Sequence, residues 1–188
     1  MGTIKIILAL FCFAFIGRSI VPERNLLADS SKDLSSLRFL RDDVLRIARA
    51  EIGVREASGN NDGKRIEDYL ATVGLPKGQP YCAAFISWVF KEAGYALPRT
   101  GWSPALFPNS RLVRDIVPAN LFGIYFPSLK RIAHCGFIDS RKGDWIATVE
   151  ANTNPSGDRD GDGVYKRLRH VKTIHSFSDW IRKREGTK

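Results

Sequence analysis

Residues 79–93 read Gln79-Pro80-Tyr81-Cys82-Ala83-Ala84-Phe85-Ile86-Ser87-Trp88-Val89-Phe90-Lys91-Glu92-Ala93. From Cys82 onward the stretch is apolar nearly all round, and Pro80 stands in the turn before it. A helix without a polar face is buried on every side, so the segment predicts a central helix with Cys82 at its N-terminus. On its N-terminal side Leu37, Leu40, Val44, Leu45, Ile47, Ala48 and Ile52 recur at three- and four-residue steps. That spacing predicts a helix stopped by Gly53. Residues 57–64 are dense in Gly, Asn and Asp and predict a loop. Ile66, Tyr69, Leu70 and Val73 then share one face of a short helix ended by Gly74. Beyond the central helix the period changes. Residues 121–126, 134–139, 145–150 and 164–169 are short β-like runs, separated by turns at 141–144 and 158–163. Residues 176–182 predict a closing helix. Helices first and an antiparallel sheet second predict an α+β domain, with the Cys82 helix packed on the sheet.

The chain has 188 residues, enough for one domain with appendages. Its hydrophobic share of 44% excludes a disordered or collagen-like chain. Three cysteines are too few for a disulfide-stapled miniprotein, and with three histidines they lack paired ligand spacing. No metal and no cofactor is therefore expected. The net charge of +9 favours an anionic partner. Lys166, Arg167, Arg169, Lys172, Arg182, Lys183 and Arg184 are expected to form a solvated basic face drawn to an anionic cell envelope. No nucleic-acid-binding motif is visible, so nucleic acid is not the expected partner. A monomer is expected.

At the N-terminus Lys5 precedes the apolar run Ile6-Ile7-Leu8-Ala9-Leu10-Phe11-Cys12-Phe13-Ala14-Phe15-Ile16, followed by Gly17-Arg18-Ser19. A basic head, a short apolar core and small residues at the exit predict an export signal over 1–19. The run falls short of the ~20 residues of a membrane span; an uncleaved N-terminal anchor is the alternative. Residues 20–36 are expected to be a linker, 37–184 the domain, and 185–188 a tail. Cys12 leaves with the signal, which leaves Cys82 and Cys135.

A thiol at a helix N-terminus meets unpaired backbone N–H groups and the positive end of the dipole. That dipole supplies roughly 0.3–2 kcal/mol, too little to ionise a thiol of pKa ~8.5 without an adjacent histidine. Of His134, His170 and His175, the first opens a predicted strand, and Glu150 ends the next one. A hairpin pairing 139 with 145 would set His134 directly opposite Glu150. A carboxylate there fixes the imidazole tautomer and stabilises the imidazolium. Strand neighbours point to opposite faces, so with His134 facing the cleft Cys135 is expected to face away from it, into the core, which argues against a Cys82–Cys135 disulfide. The Cys82 backbone N–H is the natural oxyanion donor. Gln79, Tyr81 or Asn60 could supply a second. Asn60, Asn61 and Asp62 either enter the cleft or form an Asx-rich turn. The stretch Asp158-Arg159-Asp160-Gly161-Asp162-Gly163 matches half of a calcium loop, but loop position twelve falls on Arg169. A polar hairpin turn is the preferred reading.

Tyr81-Cys82-Ala83-Ala84-Phe85-Ile86-Ser87-Trp88, His134-Cys135-Gly136-Phe137 and Glu150-Ala151-Asn152-Thr153-Asn154 together resemble the CHAP and NlpC/P60 branches of the papain-like cysteine peptidases and amidases. Ile52-Gly53-Val54-Arg55-Glu56 and Asn60-Asn61-Asp62-Gly63 resemble the segment that precedes the catalytic helix in a CHAP-like group. The likeness runs over roughly residues 40–169. It implies a papain-like α+β fold and cleavage of amide bonds in peptidoglycan, as amidase or endopeptidase. Cys82 would be nucleophile, His134 base and then acid, Glu150 its orienter, and Asn152 a further polar candidate. Cys135 departs from the pattern, standing where the group has an aliphatic residue, as does Ala151, where Gly is frequent. A secreted, non-catalytic envelope- or glycan-binding module on the same fold is the alternative.

Overall fold

The computed structural model describes residues 23–156 and 161–181. The export-signal reading, the tail, residues 158–160 of the Asp-rich turn and Arg182, Lys183 and Arg184 lie outside the described residues.

Among the described residues three α-helices precede a six-stranded sheet, giving an α+β architecture. The helices are α1 (Glu23–Ala50), α2 (Lys64–Ala71) and α3 (Cys82–Glu92). The strands are β1 (Leu112–Val113), β2 (Leu121–Phe126), β3 (Arg131–Lys142), β4 (Trp145–Thr153), β5 (Gly163–His170) and β6 (Ser176–Ser178). They lie in the order β1-β6-β2-β3-β4-β5, antiparallel throughout.

Helix α1 begins at Glu23, inside the stretch expected to be a linker. No Gly or Pro interrupts 23–50, so nothing in the backbone breaks the helix. Its apolar periodicity starts late because residues 32–36 face solvent and need no buried stripe. The predicted closing helix is corrected as well: residues 176–178 are a strand between β1 and β2. The alternation of Ser176, Phe177 and Ser178 suits a strand, and Phe177 packs under the sheet with Phe122 and Ile138.

Helix α3 is the buried centre, with every residue from Cys82 to Phe90 buried. Phe85 and Phe90 set their rings 6.0 and 5.7 Å from Phe137 of β3. Tyr69 of α2 meets Phe85 and Trp88 at 5.3 and 5.2 Å. Each such ring contributes roughly 1.5–3 kcal/mol by leaving water, so this aromatic stack fixes the depth of α3 and the height of Cys82 above the sheet. The chain after α1 then runs along β5. Gly53 N–H donates to the Val164 carbonyl at 3.0 Å, and Val164 N–H to the Val54 carbonyl at 3.0 Å. Only a glycine fits opposite, because a Cβ on Gly163 would stand 2.4 Å from the Val54 carbonyl oxygen.

Candidate active site

Cys82 opens α3 directly after Tyr81. Its side chain is 4% exposed and helps line a cleft of about 380 Å³ whose walls include Gln79, Trp102, Ser103, Arg131 and Ala133. The sulfur lies 3.4 Å from Ser103 Oγ. Backbone N–H groups in the first turn have no intrahelical acceptor, so the helix start presents donors beside the thiol.

His134 is buried on β3, and its Nε2 lies 2.8 Å from Glu150 Oε2. The two meet by a different register from the expected one. Phe137 pairs with Val149 and Ile138 with Thr148, whereas Lys142 pairs with Trp145. Asp139 is bulged out between these two frames. Continuing the ladder from Phe137 sets Glu150 opposite Gly136 and diagonal to His134. Period-two alternation keeps 134 and 136 on one face, so the side chain crosses the bare glycine to reach the imidazole. A Cβ on Gly136 would sit 3.0 Å from Glu150 Cγ and 2.8 Å from both Phe122 Cε1 and the Val149 carbonyl oxygen. Gly136→Ala is therefore expected to cost about 1–3 kcal/mol in denaturant unfolding and to weaken the His134–Glu150 contact. Wild-type stability in that variant would refute the close approach.

Glu150 is fully buried and accepts three further bonds. Thr148 Oγ1 donates to Oε1 at 2.5 Å. Arg169 of β5 donates from Nε to Oε1 at 2.6 Å and from Nη2 to Oε2 at 2.5 Å. Burial pushes the carboxyl up, but Arg169 and His134 outweigh it and hold it at about 2. The carboxylate is thus ionised, doubly gripped by a guanidinium, and still offers one lone pair to His134. Arg169, read in sequence as part of a solvated face, has a side chain only 13% exposed. Lys166 lies 3.0 Å from Asp139, and Arg167 donates to the Asn154 carbonyl, so these cations too serve the sheet.

Burial pulls the His134 imidazolium down, but the neighbouring Cys82 and Glu150 raise it to about 9. Nε2 belongs to Glu150, and the buried Nδ1 makes no hydrogen bond, so it is the nitrogen left to exchange a proton with a thiol. The Cys82 thiol is drawn well below its ordinary value, first by a hydrogen bond from Cys135, against burial, and then by His134 and Ser103. Cys135 is itself pushed up by burial and by the neighbouring Cys82. Cys135 faces the core, as expected, yet its thiol neighbours Cys82, so separation is not what leaves the two unbridged. It faces α3 and shares the core cluster with Cys82. Alternation holds, but α3 lies on the Cys135 side. Both thiols are free.

The remaining sequence candidates separate. Gln79 is exposed at the cleft. The Tyr81 ring is buried in the core, 6.3 Å from Tyr69, and its hydroxyl is pushed up by burial and by Glu56. It is a packing residue and does not line the cleft. Asn60, Asn61 and Asp62 form the Asx-rich turn. Asp62 accepts from Ser58 N–H and Oγ at 2.8 Å each, Asn60 Nδ2 donates to Ser58 Oγ at 2.9 Å, and Asn61 has φ 53°. Asn61 lines a separate polar pocket with Glu56 and Asp162. Asn152 is buried at a bulge in β4 with φ 57°. No cluster of metal-ligating side chains occurs among the described residues.

Sequence reasoning missed Ser103, Thr148, Arg131 and the role of Arg169. Arg169 alone carried a signal: its side-chain parity places it on the Glu150 face of β4–β5, since Ile146 pairs with Arg169 and Glu150 with Tyr165.

Comparison with family models, with curated proteins and with solved structures finds nothing that matches this chain.

Proposed function

We propose that this chain is an exported cysteine hydrolase with a papain-like fold, akin to the CHAP and NlpC/P60 enzymes. It cleaves amide bonds in peptidoglycan, as N-acetylmuramoyl-L-alanine amidase or peptide endopeptidase. The observation that carries the reading is one buried imidazole tied through Nε2 to a guanidinium-clamped carboxylate, on the strand against which α3 packs with a thiol at its N-terminus. Buried charge arranged this way is costly to keep and matches what nucleophilic catalysis requires.

In this reading Cys82 rests as thiolate and His134 as imidazolium. The sulfur attacks the amide carbonyl, and the oxyanion forms beside the Cys82 backbone N–H, with Gln79 the side-chain donor at the cleft. His134 gives its proton to the leaving amine, the C–N bond breaks, and a thioester remains. Water then attacks the thioester with His134 as base and regenerates the thiolate. Glu150 stays ionised and holds the ring. Export fits the N-terminal sequence. No helix among the described residues is long and apolar enough to cross a membrane. Muropeptides and the anionic envelope are the expected partners.

Incubation of purified sacculi with the protein, followed by mass analysis of the soluble fragments, tests this. New amino termini or freed stem peptides support the reading and identify the bond. Intact sacculi that merely retain the protein would support the binding-module alternative.

A further inference from the structure

The cleft beside Cys82 holds one charged side chain. Of the residues that line it, only Arg131 is ionised; the others are Leu75, Gln79, Pro80, Cys82, Thr100, Gly101, Trp102, Ser103 and Ala133, all neutral apart from the thiol itself. Arg131 stands at the start of β3, three residues before His134. Its guanidinium lies 4.2 Å over the ring of Trp102, which is 53% exposed. Its hydrogen bond goes from Nη1 to the Ile132 carbonyl at 3.2 Å.

The contrast with other arginines of the sheet and helices is informative. Arg169 is matched by Glu150, Arg49 by Asp139, Arg65 by Glu51 and Arg41 by Asp179. Among the described residues no carboxylate lies within ion-pair distance of Arg131. The guanidinium is held over the indole with Nη1 given to the Ile132 carbonyl, and a guanidinium is a planar fork suited to two carboxylate oxygens. Stacking on Trp102 also restrains the side chain before anything binds, which lowers the entropy lost on binding.

We infer that Arg131, mounted on Trp102, is a carboxylate subsite in the Cys82 cleft, so that the substrate carries an acidic group beside the amide that Cys82 attacks. This rests on the proposed hydrolase reading and narrows it to acyl chains with a free carboxylate near the scissile bond. The apolar faces of Leu75 and Trp102 take the carbon chain, and Arg131 takes the anion. Arg131 positions the substrate and has no part in proton transfer.

The test uses two alkylating probes of nearly equal size. Iodoacetate carries a carboxylate and iodoacetamide does not. The ratio of their rate constants at Cys82 reports anion attraction in the cleft, and the iodoacetamide rate reports the thiolate by itself. Arg131→Gln is expected to lower the iodoacetate-to-iodoacetamide ratio by about fivefold, the ratio cancelling any change in the thiolate itself. Arg131→Lys should restore part of the ratio. Lys91→Gln, in the last turn of α3, removes the same charge far from the cleft and should leave the ratio as it is. An unchanged ratio in Arg131→Gln, or an equal fall in Lys91→Gln, would overturn the subsite while leaving the nucleophile intact. Failure of Cys82 to react with either probe would instead overturn the hydrolase reading itself.

Discussion

Cys82→Ala is expected to reduce sacculus cleavage by about four orders of magnitude or more, with the fold preserved. The sulfur makes the bond that breaks the amide, and no other side chain in the cleft replaces it. Cys135 sits beside it but is fully buried and held as a neutral thiol, so it cannot stand in as nucleophile. The alanine side chain is smaller than the thiol and fits the same space, so circular dichroism and the unfolding midpoint should stay near those of wild type. Cleavage surviving in Cys82→Ala would remove the thioester mechanism outright.

The second large effect concerns the clamp on Glu150. Arg169→Leu strips the guanidinium from a carboxylate with no accessible surface. Removing one partner of a buried pair leaves an uncompensated charge and costs about 3–5 kcal/mol. Urea unfolding should read that loss at neutral pH. The pH dependence has a definite sign. Glu150 titrates at about 2 in the fold against 4.5 ordinarily. Its contribution is therefore present above pH 4.5 and is lost as pH falls toward 2. In Arg169→Leu the folded value moves up and that acid-side stability disappears. His134 behaves oppositely: raised to about 9 from 6.5, it stabilises below pH 6.5 and loses that effect as pH rises through 9. Glu150→Gln keeps the shape, neutralises the anion and should lower cleavage by roughly 10²–10⁴. Full stability of Arg169→Leu at neutral pH would contradict the clamp.

Much of this arrangement was legible in the chain. An all-apolar helix opened by a cysteine after Pro80-Tyr81 has few places to go except the centre of a domain, and α3 is there. Alternation located β2 to β5. The partnership of His134 with Glu150 was also legible, but for a reason that was partly accidental. The simple hairpin sum overlooked the bulge at Asp139, and the pair survives because Gly136 has no side chain to block a diagonal reach. Bulges depend on tertiary strain in the sheet and leave little trace in hydropathy. Alternation sent Cys135 into the core, but that the start of α3 meets it there depends on which face of the sheet the helix covers, and alternation by itself cannot supply that. Arg169 looked like one cation among many, because a basic run reads the same whether its members meet water or a buried carboxylate. The early part of α1 was hidden for the opposite reason: residues 32–36 face solvent, and an exposed stretch of helix has no apolar stripe to betray it.

The central claim is that Cys82, His134 and Glu150 act as one proton-sharing unit. Thiolate absorbance near 240 nm, recorded against pH as wild type minus Cys82→Ser, measures it directly. The Cys82 thiolate is expected to form with its inflection well below that of an ordinary thiol, and His134→Ala is expected to return the inflection toward the ordinary value. A thiol that stays protonated through pH 8 in the wild type, or one whose titration ignores the loss of His134, would contradict it.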